Sequence, residues 1–325
     1  MEAELVLPPT KRRGMWPLTV RPSGGALVMV PLFVILLLVD VLLQPDILTK
    51  PQIALTIQTA FPLILVSIAQ CIVLLTGGID ISVGGTMVVA NVLTATWVGA
   101  DSGSAWRLVL VLLVGLILGA FNGALVVIGN FEPFIATLGT WAIYDGVALQ
   151  ILPSAGGATP PALSAWAQNV TNFIPTSILL LVLTLAVWWY WRSTNLCRHI
   201  YSIGSDEARA RLSGVNIGKT KFSVYAIAGL LAALAGIYLA LITSTGDATL
   251  GDGYILSSVE ACVLGGISLE GGSGGAGLAV AGAFILTFID GITSVLVLPP
   301  WVSIVLSAGL LIFVIGIRSR FAKPT

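Results

Sequence analysis

An all-α polytopic integral membrane protein of about ten transmembrane or re-entrant helices is the fold class this sequence predicts. Three observations point there. Of the 325 residues, 57% are hydrophobic and only 9% are charged, against about 25% charged in an ordinary soluble domain. The apolar residues fall into runs close to the ~20 residues a helix needs to cross a hydrocarbon core. Of the 15 lysines and arginines, 13 gather in three places along the chain.

The apolar runs give ten segments: 26–43, 53–75, 83–98, 106–128, 133–151, 174–191, 222–243, 254–267, 276–297 and 301–317. A basic tail, residues 1–25, precedes the first and contains Lys11, Arg12, Arg13 and Arg21. A signal peptide also begins with basic residues, but no small-residue cleavage pattern follows here and the run has full spanning length. It is therefore read as the first membrane helix. Segments three and eight are short and fit broken, tilted or re-entrant helices, whose backbone must be covered by protein or line a water-filled cavity. Gly115, Gly119 and Gly123 recur every four residues in segment four, which predicts close approach of a neighbouring helix of the same subunit. Residues 152–173 carry no charge and are rich in proline, glycine and small residues, the composition of an irregular loop. Trp188, Trp189, Tyr190 and Trp191 end segment six beside Arg192, as interfacial anchors do.

Orientation follows from the basic residues. They gather in the N-terminal tail, in the loop 192–221 (Arg192, Arg198, Arg209, Arg211, Lys219, Lys221) and in the C-terminal tail 318–325 (Arg318, Arg320, Lys323). Ten crossings bring all three groups to one face, which predicts cytoplasmic termini and a cytoplasmic loop 192–221. The membrane domain then runs over residues 26–317.

Several function classes drop out. Net charge is zero, so nucleic acid finds no electrostatic footprint. Cys71, Cys197 and Cys262 have no metal-site or disulfide spacing, and the one histidine, His199, lies in the basic loop. Gly214-Val-Asn-Ile-Gly218-Lys219-Thr220 has one residue too few between its glycines for a phosphate-binding loop. Gly272-Ser-Gly274-Gly-Ala-Gly277 has dinucleotide-binding spacing but no strand–helix–strand around it. No catalytic residue, cofactor or metal is expected, and any ATP hydrolysis would reside on another chain.

Polar groups inside apolar segments are costly and mark transport pathways by default. Asn91, Asn122, Asp145, Glu260 and Asp290 are the translocation candidates, with Asp40 near the end of segment one. The competing role is hydrogen-bonded adhesion between helices, worth about 0.6–2 kcal/mol each. Between segments two and three, Gly77 and Gly78 permit a tight turn, and Asp80 and Ser82 are placed to cap the third helix. This stretch reads as a structural turn or as a gate. In the basic loop, Ser205, Asp206 and Glu207 favour a helix start and Gly214 a stop. A short helix over about 206–213 follows, with Ala208 and Leu212 as its apolar pair and Arg209 and Arg211 beside them. Spacing alone leaves two roles open: a coupling helix that docks on a motor protein, or a loop that only fixes topology.

Four stretches resemble the membrane permeases of ribose-type ABC importers. They are Leu75-Thr-Gly-Gly-Ile-Asp80-Ile-Ser-Val-Gly84, Pro133-Phe-Ile-Ala-Thr137-Leu-Gly, and the loop from Tyr201 to Asn216 through Glu207, Ala210, Arg211, Leu212, Ser213 and Gly214. The fourth is Gly251-Asp-Gly-Tyr254 with Leu264-Gly265-Gly266-Ile-Ser268-Leu-Glu-Gly271-Gly272. The family usually has an acidic residue soon after the tyrosine and alanines before the Gly-Gly pair; here Ile-Leu-Ser-Ser follows Tyr254 and Glu260 replaces an alanine. The resemblance implies an importer subunit in a bacterial inner membrane that carries a small polar solute, a monosaccharide above all. It implies an ABC ATPase on the cytoplasmic face, a periplasmic solute-binding protein, and a second permease, the same or homologous. It also favours the coupling role for the loop. An ion-coupled secondary transporter or channel is the alternative.

Overall fold

The computed structural model describes residues 24–170 and 174–321. The N-terminal basic residues Lys11, Arg12, Arg13 and Arg21, and Lys323 at the other end, lie outside this range.

All ten predicted segments are helical. In chain order the helices are α1 (Gly24–Leu43), α2 (Lys50–Leu74), α3 (Ser82–Leu93), α4 (Arg107–Val127), α5 (Pro133–Ile151), α6 (Pro161–Ala167), α7 (Thr176–Trp191), α8 (Asn195–Ser205), α9 (Glu207–Leu212), α10 (Ile217–Thr243), α11 (Gly251–Leu264), α12 (Ala276–Val295) and α13 (Trp301–Phe321). Five of them, α2, α4, α5, α10 and α12, are long and apolar enough to cross a membrane unaided. The short third segment extends α3 by a π-helical turn over Thr94–Val98, and α11 has only 14 residues. The loop 152–173 is less irregular than expected. Pro160 and Pro161 start α6 there, proline being suited to the first turn because it lacks an N–H.

Helix α2 is the axis of the bundle. Every residue from Ala60 to Leu74 is buried, and α3, α7, α10, α11 and α12 all pack against it. Outer helices show the opposite pattern. Val109, Leu113, Ile117 and Phe121 form an exposed row down α4, as lipid contact requires.

Helices α4 and α10 make the most extensive pairing in the bundle. Gly115, Gly119 and Gly123 face Gly229, Ala233 and Phe222, and a Cβ on Gly119 would collide with the Tyr225 carbonyl. The four-residue glycine spacing thus brings backbone onto backbone within the subunit, as the sequence predicted. Gly139 on α5 is the contrast, because a Cβ there would meet no atom within 4 Å. Gly119→Ala is expected to cost about 1–3 kcal/mol and Gly139→Ala close to nothing, read as thermal stability of the purified protein in detergent.

Candidate translocation and coupling site

The arginine-rich loop forms an elbow. Helix α7 ends at its aromatic run, and α8 leaves at 76° to it. The Thr194 hydroxyl accepts from the Cys197 N–H at 3.4 Å and caps α8. Helix α8 is amphipathic, with Cys197, Ile200 and Ile203 buried on one side. Asp206 is extended between α8 and α9, and its carboxylate caps α9 by accepting from the Arg209 N–H at 3.0 Å. The predicted short helix is therefore present, one residue shorter at each end. Its inward residue is Ala210, 1% exposed. Ala208 and Leu212 face outward together, Leu212 at 89% exposure. Gly214 follows at φ +81°, the left-handed stop that glycine allows. Glu207 pairs with Lys221 at 2.7 Å and with Arg211 at 3.6 Å, and Arg209 with Asp206 at 2.8 Å. These pairs are largely exposed, so they orient the elbow more than they stabilise it. Ser205 ends α8 and donates its hydroxyl to the Tyr201 carbonyl.

Three turns meet behind the elbow: the one after α2, the end of α8, and the α11–α12 connection. The Gly272 N–H donates to the Leu75 carbonyl at 3.1 Å. Gly204 lies across this hydrogen bond, and a Cβ there would strike both Leu75 and Gly272 backbone. Gly271 sits against the Gly77 N–H and the Gly204 Cα. The Tyr201 hydroxyl adds a bond to the Gly274 carbonyl at 2.7 Å. The elbow thus packs its main chain at Gly204 against the end of α2 and the α11–α12 turn, and the Tyr201 hydroxyl bonds it to that turn.

Gly77, at φ +80°, turns the chain out of α2. Asp80 is 2% exposed, and its Oδ1 accepts from the Ser82 N–H at 2.8 Å and the Ser82 hydroxyl at 2.6 Å. Asn122 of α4 donates its amide to the Ser82 hydroxyl. Thr137 of α5 accepts from the Ile81 N–H at 3.0 Å. The turn is thereby fastened to two helices that arrive some forty and sixty residues later. Gly78 faces the Tyr225 hydroxyl, which is buried and, among the described residues, unpartnered. Burial pushes the Asp80 carboxyl up to about 6, against the lowering effect of its bonds from Ser82.

At the other end of α2 a cavity of about 540 Å³ opens between α1, α2, α11 and α12. Its walls hold Asp40, Gln44, Gln52, Thr56, Thr59, Tyr254, Ser257, Thr287, Phe288 and Asp290. Asp40 accepts from the Gln44 amide at 3.2 Å. Asp290 is exposed to this cavity and lies near Ser303 of α13. Glu260 lies further along α11, near Ser307 of α13. Asp145 of α5 is within electrostatic range of Asp252 at the start of α11. Asn91 instead bridges helices: its amide donates to the Gly236 carbonyl at 3.3 Å and its oxygen accepts from the Asp247 N–H at 2.8 Å. Asn122 ties α4 to the start of α3 through a single bond, its amide donating to the Ser82 hydroxyl, while its oxygen is unpartnered among the described residues. Of the polar residues picked out in the apolar segments, Asp40 and Asp290 therefore reach the cavity wall, while Asn91, Asn122, Asp145 and Glu260 do not. The cavity's other groups escaped sequence reasoning, although Gln52, Thr56 and Thr59 share one helical face by their spacing.

Residues 52–315 match the family described as branched-chain amino acid transport system / permease component. The chain belongs to this family. Among its curated relatives, the permease is 34% identical over 237 residues to the ribose import permease protein RbsC of Escherichia coli (strain K12), covering 70% of this chain and 72% of that one. It is 36% identical over 244 residues to the autoinducer 2 import system permease protein LsrC of Yersinia pseudotuberculosis, covering 74% and 69% respectively. The ribose import permease of Haemophilus influenzae is 32% identical over 237 residues. No solved structure matches the chain.

Three of the stretches that carried the resemblance converge in this permease. The Asp80 turn is held by Thr137, and Gly84 packs against the Gly251 carbonyl. Raised to about 6, the Asp80 carboxyl binds its proton more tightly folded than unfolded, so its contribution favours folding at low pH and is lost as pH rises through about 6. Detergent-solubilised permease is expected to melt higher at pH 5 than at pH 7, and Asp80→Asn should flatten that difference.

Proposed function

We propose that this chain is the membrane-spanning subunit of an ATP-binding-cassette importer in a bacterial inner membrane, and that its cargo is a small polar solute of the monosaccharide class. The observation that carries the reading is the mechanical link between two unlike ends of α2. One end opens a cavity of about 540 Å³ whose carboxylates, amides and hydroxyls suit a polyhydroxylated guest. Carboxylates accept from hydroxyls, while amides and hydroxyls both donate and accept. Tyr254 and Phe288 supply apolar ring surface beside them. The other end is fastened through Gly204, Gly271 and Gly272 to the basic elbow. Membership in the permease family and likeness to a ribose import permease support the class of cargo.

In this reading the elbow faces the cytoplasm, where basic loops accumulate. Residues from Ser205 to Gly214 seat on an ABC ATPase subunit, with exposed Leu212 as the apolar contact and Arg209 and Arg211 around it. Movement of the ATPase displaces the elbow as a unit and, through the glycine junction, shifts α11 and α12 against α2. A soluble binding protein delivers the solute to the opposite face, and a second permease completes the translocation unit. Asp40 and Asp290 line the route at the cavity, Asp145 and Glu260 lie off the cavity wall, and Asn91 and Asn122 hold the helices that border it.

Two measurements test this. Membranes carrying the chain with its neighbouring ATPase and binding protein should take up radiolabelled D-ribose or a related pentose or hexose in an ATP-dependent manner. Absence of uptake across such a sugar panel would sink the cargo assignment. In the same system, Leu212→Ala with Gly214→Ala should lower uptake at least about tenfold, the effect of losing about 1.4 kcal/mol of coupling, while the protein still inserts. Normal uptake in that double variant would refute the docking role.

A further inference from the structure

We infer that the solute path continues inward along one face of α2, where Ser67 and Gln70 form an inner subsite that is closed in the present conformation. The inference rests on the permease reading above and deepens it. Gln52, Thr56, Thr59, Leu63, Ser67 and Gln70 recur at spacings of three or four residues, which stacks them on a single side of the helix. The outer four line the cavity.

The inner two are 0% exposed. Among the described residues, the Ser67 hydroxyl and both ends of the Gln70 amide have no hydrogen-bond partner. An unpaired buried amide is among the costlier groups a core can hold, and an apolar side chain of the same shape would be more stable. A polar pair kept there, in register with an open polar cavity, is what an alternating path requires. Each group meets solute when the inner half opens and is left unpaired when it closes.

The surrounding packing shows how that half opens. Ile64, Ile68, Leu264 and Leu286 belong to one apolar cluster that closes the route below Leu63. Pro62 sits at the boundary between the open and closed halves. It has no N–H for the Gln58 carbonyl, so the helical ladder is interrupted there. The Cys262 thiol donates to the Ser67 carbonyl at 3.2 Å, which places α11 beside α2 at this depth. Helices α11 and α12 therefore wall both the cavity and the plug, and their connecting turn is the one clasped by the elbow. Serine and glutamine each donate and accept without carrying charge. The guest of this subsite is a neutral polyhydroxyl molecule, not an amino acid zwitterion or a free ion.

The test uses Gln70→Leu in the complete importer, with radiolabelled D-ribose and a pentose–hexose panel as probes. The variant should melt at a higher temperature than wild type in detergent, because an unpaired amide has been removed. It should nevertheless take up sugar about tenfold more slowly, since the hydroxyl partner in the path is gone. Ser67→Ala should move both readouts in the same directions. Gln58→Leu, on another face of α2, removes an amide that donates to the Ala167 carbonyl at 3.4 Å; it should lower the melting temperature and leave uptake per folded molecule near wild type. A Gln70→Leu protein that melts lower, or fails to fold, would show that the amide is structural and overturn the inference. So would wild-type uptake in that variant beside a working wild-type importer. Failure of the wild-type importer itself on every sugar would instead remove the cargo assignment, and this subsite with it.

Discussion

Helices in lipid gain nothing from hiding apolar side chains from one another, because the surrounding hydrocarbon is equally apolar. What remains is close contact of main chain with main chain, and this permease is organised around it. Glycines on α4 meet glycine and alanine on α10. Gly236 of α10 lies under the Met87 carbonyl of α3, and Gly282 of α12 under the Ala261 carbonyl of α11. Each such crossing forfeits side-chain burial in exchange for dispersion contact over a long surface. The crossings around α2 leave its inner half without any lipid or water contact.

That sheath has a chemical corollary. Polar side chains on α2 can be tolerated only where another group meets them or where the route to water is open. Gln58 reaches the Ala167 carbonyl, and Thr56 and Thr59 bond back to carbonyls of their own helix while facing the cavity. The turn that ends the helix is treated with the same economy. Asp80 collects two donors from Ser82, and Ser82 is held in turn by Asn122. The buried carboxylate and the chain reversal therefore stabilise each other, and α3 begins where α4 and α5 fix it.

Much of this was legible beforehand. All ten apolar runs became helices because length and composition are strong local signals in a membrane protein. The α9 helix was readable from Asp206 and Gly214, whose capping and left-handed turn are local chemistry. Helix α8 was harder to foresee, since a sequence as polar as Asn195-Leu-Cys-Arg-His looks like loop until Cys197, Ile200 and Ile203 find a surface to cover. The cavity was illegible for a different reason. Asp40, Thr56, Tyr254 and Asp290 are brought together from two helix pairs near opposite ends of the chain, and nothing local announces such a meeting. Asn91 illustrates the converse: its intramembrane position marked it as a pathway residue, yet only tertiary structure reveals the two backbone groups it joins.

The crossing of Gly204, Gly271 and Gly272 has an implication for how such a machine diversifies. Apart from the Tyr201 hydroxyl on the Gly274 carbonyl, that joint is made of peptide groups and carries little side-chain code to be matched on either side of it. Under the proposed scheme, residues around the cavity and residues on the exposed face of the elbow can then drift independently, provided the glycines and Tyr201 stay. In that scheme one attachment serves many cargoes, with each new specificity written at the far end of the molecule.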